Sequence, residues 1–167
     1  WDEEARTNLV LPLDDRSATE ILTLERPSEE AVRDRYVYFP GTSAVPEGVA
    51  VNVRNRSFKI LANVEITDAD AAGVLFAHGS RFGGHALFIK DHKLHYVYNF
   101  LGIKPEQQFV SSVELKPGKY TLGMEFTRTG AGPHNESLGT MKLYVNDHVV
   151  ADGPMKTQAG KFTLSGD

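Results

Sequence analysis

From Tyr36 onward, the apolar runs of this chain are short and are interrupted by Gly, Pro, Asn or Asp every eight to twelve residues. The runs are rich in Val, Ile, Phe, Tyr and Thr, which suit a pleated, half-buried strand. Regularly spaced short strands with turn signals between them indicate a sandwich or a barrel. The pattern predicts strands at residues 35–39, 49–53, 58–66, 73–78, 85–90, 93–100, 108–113, 120–128, 139–145, 149–154 and 162–165. We therefore expect an all-β fold.

Two tight hairpins are predicted from one repeated dipeptide. A two-residue turn at Asp91-His92 would pair Lys90 with Lys93, and the same turn recurs at Asp147-His148. Such turns require positive φ, which histidine tolerates better than β-branched residues do.

The register of the first hairpin divides its side chains between two faces. One face is expected to carry Leu87, Ile89, Leu94, Tyr96 and Tyr98, and the other Ala86, Phe88, His95, Val97 and Asn99. Both sets contain apolar groups, as is typical of central strands covered on both sides. One face should be core, and the other is either covered by the N-terminal arm or forms a binding surface.

Residues 1–35 differ in composition from the rest of the chain. They contain ten acidic residues against five arginines and few aromatic or β-branched residues. Helical turns are predicted at residues 2–10, after the capping-box spacing of Ser17 and Glu20, and after Ser28. Such short helices are marginal in water and need a surface to lie against. We expect a helical arm or linker at residues 1–35 and a β-sandwich domain at residues 36–167.

Composition excludes several classes of protein. The net charge of −4 comes without a concentrated basic stripe, so no nucleic-acid partner is expected. No apolar run reaches the length of a membrane span, and no membrane partner is expected. The lack of cysteine excludes disulfides and thiolate chemistry, and it leaves the compartment undecided, with the cytoplasm favoured. Because the first residue is Trp1, we expect a piece of a longer product, truncated at both ends.

The histidines and carboxylates do not suggest a metal site. Zinc requires three or four ligands, and calcium requires six or more oxygens, of which Asp68 and Asp70 would supply two. The histidines are predicted to lie on separate turns and strands without converging on a metal: His78, His85, His92, His95, His134 and His148.

The glycine-rich segment 77–84 does not match a nucleophile elbow. Ser80 lies near His78, but the Gly-x-Ser-x-Gly spacing and a following helix are both missing. The glycines are instead predicted to allow a sharp return between two strands, with Arg81 and Phe82 at its tip. With no paired carboxylates and no phosphate loop, we expect no catalytic, cofactor-binding or metal-binding residue in this chain.

Several longer segments carry a family resemblance. They are residues 11–16 (LPLDDR), 36–42 (YVYFPGT), 51–57 (VNVRNRS), 77–84 (AHGSRFGG) and 94–102 (LHYVYNFLG). In these segments the chain resembles the carboxy-terminal domain of the long bacterial arylsulfatases.

The resemblance implies an antiparallel β-sandwich of the concanavalin and laminin-G kind, attached behind a sulfatase domain. Enzymes of that family are sulfuric ester hydrolases that use a formylglycine and a divalent metal. The formylglycine is made from the cysteine of a Cys-x-Pro-Ser-Arg motif, which is absent here. Both groups would therefore belong to a missing catalytic domain.

Two functions follow as hypotheses. In the first, the chain is a non-catalytic accessory domain that packs on the sulfatase catalytic domain of the same chain and shapes substrate access. In the second, it is a carbohydrate-binding module that uses Tyr96, Tyr98, Phe88, His95 and Asn99. The candidate interface or ligand residues are Arg81, Phe82, Tyr96, Tyr98 and Asn99.

Overall fold

The computed structural model describes residues 1–8, 34–46, 49–80 and 82–160. The chain divides into two compact units, residues 1–42 and 43–167. The described part of the first unit contains one helix, α1 (Asp2–Thr7), within the predicted residues 2–10. The predicted helical turns after Ser17 and Ser28 lie outside the described residues, as does the predicted strand at 162–165. In the described ranges, no helix has the length and apolarity of a membrane span.

The second unit is an all-β sandwich. Its strands are β1 (Phe58–Ile66), β2 (Gly73–Ser80), β3 (Gly83–Lys90), β4 (Lys93–Phe100), β5 (Ile103–Val110), β6 (Gly118–Ala131), β7 (Ser137–Val145) and β8 (His148–Thr157). They form two antiparallel four-stranded sheets, here called the β1 sheet, in the order β1-β6-β7-β8, and the β2 sheet, in the order β2-β3-β4-β5. The all-β prediction is confirmed.

One apolar core is formed by the inner faces of the two sheets. The β1 sheet contributes fully buried side chains from its central strands, including Leu122, Met124, Phe126, Met141 and Leu143. The β2 sheet contributes Leu87, Ile89, Leu94, Tyr96 and Tyr98, so the first of the two hairpin faces predicted from the sequence is the one in the core. Alternation along each strand places the intervening side chains on the outer faces.

The first predicted hairpin is confirmed. Lys90 pairs with Lys93, and Asp91 and His92 take φ of 49° and 60°, as a turn of two left-handed residues requires. His92 Nδ1 is 2.8 Å from the carbonyl oxygen of Ala69, which anchors the tip to the β1–β2 connection.

The second predicted turn is wrong by one residue. Val145 pairs with His148, so the turn residues are Asn146 and Asp147 rather than Asp147 and His148. Asn146 takes the left-handed position with φ of 55°, which asparagine tolerates well. Its backbone N–H donates to the Thr121 carbonyl and its side-chain Oδ1 accepts from the Thr121 N–H, so β6 fixes the turn.

Two predicted strands are absent from the described residues. Residues 35–39 have no strand structure, and their large side chains from Tyr36 to Phe39 are exposed, so no half-buried face forms. Residues 49–53 also lack strand structure. There the Asn52 side chain accepts the Arg54 N–H, and such a local bond competes with strand pairing.

A third correction concerns the strand predicted at residues 108–113. The observed strand is β5, Ile103–Val110, which begins after a tight turn at Leu101 and Gly102. Pro105 lies within it, which is compatible with a strand because β5 is at the edge of its sheet.

Candidate functional site

The five candidate residues do not share one face of the domain. Tyr96 and Tyr98 point into the core and are 0% and 2% exposed, so they cannot stack on a ligand at the surface. Asn99 follows them on the opposite side of β4, because successive side chains alternate. Phe82 lies in the β2–β3 turn, closed by the Ser80–Gly83 pair, and is 53% exposed; Arg81 lies outside the described residues.

The outer face of the β2 sheet is lined with apolar and small side chains. Antiparallel register places them in two rows that cross the four strands. The first row is Val74, Phe88, His95 and Val110, and the second is Ala77, Ala86, Val97 and Gln108. Val74 is 67% exposed, and most of the other side chains are half-buried. This surface is the second hairpin face predicted from the sequence.

Aromatic rings are present on this outer face, but their faces are already in contact. The rings of Phe88 and His95 are stacked, with centroids 5.1 Å apart and planes 12° from parallel. His95 Nε2 is also 3.0 Å from the Lys90 carbonyl oxygen, which holds the imidazole in place. Each ring therefore offers only part of its surface to a ligand.

The amide of Asn99 is engaged within the domain. Its Oδ1 accepts the N–H of Gly102 at 2.8 Å, and its Nδ2 donates to the Ser80 carbonyl at 3.4 Å. The side chain thus connects the β4–β5 turn to the end of β2. Its geometry fits a structural role at this corner.

A shallow groove of about 330 Å³ lies beside the second row. Its floor includes Gly79 and Gly84, which pair with each other at φ of 122° and 134°. A Cβ on Gly79 would clash with the Cα of Gly84, so only glycine permits this close approach of the strands. The groove is open, and its lining includes Ala77, Ala86 and Val97 of the second row together with His78 and His85.

The outer face of the β1 sheet has the opposite character. One row across its four strands alternates in charge: Lys59, Glu125, Lys142 and Asp152. Lys59 Nζ is 3.2 Å from Glu125 Oε2, which also accepts the hydroxyl of Tyr144 at 3.0 Å. The charged side chains of Lys59 and Glu125 are partly exposed to solvent, so the outer face of the β1 sheet is hydrophilic. The outer face of the β2 sheet is mainly apolar.

A polar cluster lies at the inner side of the glycine-rich turn. His78 and His85 are direct cross-strand partners, with ring centroids 5.7 Å apart. His85 Nδ1 is 2.9 Å from the Tyr96 hydroxyl, and the Tyr98 hydroxyl accepts the Gln158 N–H at 3.1 Å. Sequence spacing did not predict this cluster, because His78 and His85 meet only through the register of β2 and β3.

Burial controls the ionisation of this cluster. Desolvation, with a smaller contribution from His78, lowers the pKa of His85 to about 3, so the imidazole is neutral at pH 7. Desolvation also raises the pKa of Tyr96 well above its usual value and that of Tyr98 to about 12. At neutral pH these three side chains are therefore uncharged.

Within the described residues, no group of three or more His, Cys, Asp or Glu side chains could hold a metal ion. Asp68 and Asp70 lie in an exposed turn, where Asp68 Oδ1 accepts the Asp70 N–H.

Comparisons with known proteins identify no relative. No protein-family model matches the chain, and neither curated proteins nor solved structures give a significant match.

Proposed function

We propose that this chain is a non-catalytic accessory domain that packs through the outer face of its β2 sheet on another domain of the same protein. The observation that carries the proposal is the contrast between the two outer faces. The β1 sheet presents a ladder of alternating charges, whereas the β2 sheet presents Val74, Phe88, Val97 and Val110. Exposed apolar patches of this kind are typical of interaction sites.

The resemblance to the arylsulfatase carboxy-terminal domain suggests which domain would be packed. The proposed partner is the sulfatase catalytic domain, which would supply the formylglycine and the divalent metal. The sandwich would then be of the concanavalin and laminin-G kind. In this arrangement the turn that carries Phe82 would lie at the edge of the packed face, next to the groove, and would border the substrate entrance.

A carbohydrate-binding function is the second candidate, favoured by the open groove beside Val97. It has less support, because two of the five side chains that it would use, Tyr96 and Tyr98, are in the core. The Asn99 amide also binds backbone groups of this domain. What remains for a sugar is the exposed part of the Phe88 and His95 rings.

The proposal can be tested with charged substitutions on the two outer faces. Ala86→Arg and Val97→Glu would place charges in the middle of the β2-sheet face, and Lys142→Glu is the matched control on the β1-sheet face. Each variant chain would be mixed with a separately produced arylsulfatase catalytic domain of the resembled family, and complex formation would be measured by calorimetry. We expect binding of the wild-type chain and of the control variant and loss of binding in the other two.

Two further measurements separate the candidates. Binding of sulfated or neutral polysaccharides that is lost in Phe88→Ala would favour the carbohydrate module. Turnover of an aryl sulfate by the chain alone, above a matched blank, would contradict the non-catalytic assignment. Equal binding of the catalytic domain by Ala86→Arg, Val97→Glu and wild type would contradict the use of the β2-sheet face.

A further inference from the structure

Among the strands of the described residues, each sheet ends in two edge strands, and three of these four carry features that discourage pairing with another chain. The β2 strand has an irregularity between Val74 and Phe76, and β5 contains Pro105. The β8 strand contains Pro154 and an irregularity opposite Leu143 and Tyr144. Proline and bulges at sheet edges prevent continuous pairing with a further strand.

The β8 strand is also covered by a side chain from the other sheet. Gln107 Nε2 donates to the Lys156 carbonyl at 2.8 Å, and Gln107 Oε1 accepts the Lys156 N–H at 2.8 Å. The amide of Gln107 thus forms both bonds that a neighbouring strand would form at this residue.

The β1 strand lacks these features. It runs for nine residues and pairs with β6 residue by residue, from Phe58 opposite Phe126 to Ile66 opposite Gly118, without an irregularity. It contains no proline and no glycine, and it directs no charged side chain into the core. One side of β1 pairs with β6. The opposite side, which we call the β1 edge, pairs with no strand of the described residues.

Burial along β1 is consistent with an interface that is incomplete in one copy of the chain. The inward side chains Phe58, Ile60 and Val64 are only half-buried, although Ile66 at the end of the strand is buried. On the adjacent β6 strand, the inward side chains Leu122, Met124 and Phe126 are fully buried, and Tyr120 is half-buried. On the outer side, Leu61 is 57% exposed. A further strand beside β1 would cover these apolar groups.

We propose that the β1 edge pairs antiparallel with the β1 edge of a second copy of this chain, around a two-fold axis at Ala62. This axis places Lys59 directly opposite Glu65 of the second copy, and Glu65 opposite its Lys59. Directly opposed charges of opposite sign stabilise antiparallel strands. An isologous contact of this kind closes as a dimer and joins the two β1 sheets into one eight-stranded sheet.

Alternative registers of the same pairing do not match the charges. A shift by two residues in one direction places Lys59 opposite Asn63, and a shift in the other direction places Leu61 opposite Glu65. A shift by one residue would turn the apolar side chains of one copy toward the outer face of the other. Charge complementarity therefore selects the register centred on Ala62.

Sedimentation equilibrium of the full chain tests the dimer. We expect a concentration-dependent mass that approaches about twice 18.4 kDa. Lys59→Glu and Glu65→Lys each place two like-charge pairs in the dimer, and each should raise its dissociation constant about ten-fold. Lys142→Glu, on the same outer face but on the central strand β7, should leave the dissociation constant unchanged.

Mixing the two single variants gives a result that only the proposed register predicts. In the mixed dimer, the two substituted positions face each other with opposite charges, and the native Glu65 of the Lys59→Glu chain faces the native Lys59 of the Glu65→Lys chain. Because every pair is then attractive, equimolar mixing should restore the wild-type dissociation constant. Far-ultraviolet circular dichroism of each variant alone shows that it is folded.

Three results would overturn the dimer. They are a monomeric wild-type chain, dimers insensitive to both substitutions, and a mixture of the two variants without recovery. None of these outcomes depends on the face used for domain packing, so the dimer can fail while the proposed accessory function stands.

Discussion

The imidazole of His85 and the phenol of Tyr96 share a hydrogen bond of 2.9 Å inside the sandwich, between neighbouring strands of the β2 sheet. Around this bond lie the rings of Phe58, Phe76 and His78, and the His85 side chain is buried, with 5% of its surface exposed. A histidine in this environment is held neutral, and protonation opposes folding.

We therefore expect the stability of the domain to fall on acidification through His85. The pKa of His85 is about 3 in the folded state, against 6.5 for an exposed histidine, so the unfolded state binds a proton first as pH falls. The contribution of neutral His85 to the free energy of unfolding is constant above about pH 6.5 and decreases between about pH 6.5 and pH 3. By pH 4.5 the loss is about 2–3 kcal/mol of unfolding free energy.

Urea unfolding at pH 7.5 and pH 4.5 measures this loss. His85→Gln keeps a polar side chain without an ionisable ring and should reduce the pH dependence by about that amount. Equal pH dependence in wild type and His85→Gln would show that His85 is not the group responsible.

The glycine pair of β2 and β3 predicts a strongly position-dependent effect of alanine. In Gly79→Ala, the new Cβ would clash with the Gly83 carbonyl oxygen at a backbone φ of 122°. We expect a loss of about 3 kcal/mol, because both the clash and the backbone strain must be relieved. In Gly130→Ala, no atom lies within 4 Å of the new Cβ, and the change should stay within about 0.5 kcal/mol. Similar melting temperatures for the two variants would contradict the close approach of the strands.

The hydroxyl of Tyr98 is expected to stabilise the segment that follows β8. In Tyr98→Phe, the N–H of Gln158 loses its acceptor in a buried site, which should cost about 1–3 kcal/mol. Tyr120→Phe is the control, since its hydroxyl bonds the exposed Lys116 carbonyl and water can replace it. Chemical denaturation measures the free energy of unfolding of both variants. An equal or larger loss of unfolding free energy in Tyr120→Phe would contradict a stabilising hydrogen bond from the Gln158 N–H to the Tyr98 hydroxyl.

The second hairpin should depend on Asn146 rather than on Asp147. Asn146→Ala removes the side-chain acceptor of the Thr121 N–H and places alanine at φ of 55°. Together these changes should destabilise the domain by about 1–2 kcal/mol. Asp147→Ala should change the unfolding free energy by less than about 0.5 kcal/mol. Thermal unfolding of both variants measures the two losses of stability. A larger loss in Asp147→Ala than in Asn146→Ala would support the turn at Asp147-His148 that the sequence predicted.

The sequence by itself determined the all-β fold, because short apolar runs with regular turn signals are incompatible with long helices. It also determined which side chains of the first hairpin share a face, since alternation along a strand is fixed by covalent geometry. The Asp91-His92 turn followed from the same local pattern. These features depend on residues close together in the chain.

Only the tertiary structure decided the features that depend on distant residues. Residues 49–53 alternate suitably for a strand, but the Asn52 side chain satisfies a local N–H and no neighbouring strand of the described ranges pairs with them. The Asn146 turn was decided by bonds to Thr121, 25 residues earlier in the chain. His78 and His85 became partners through strand register, and the burial of Tyr96 and Tyr98 required the opposite sheet. Local sequence fixes the direction of a side chain, whereas long-range packing decides whether that direction leads to water or to the core.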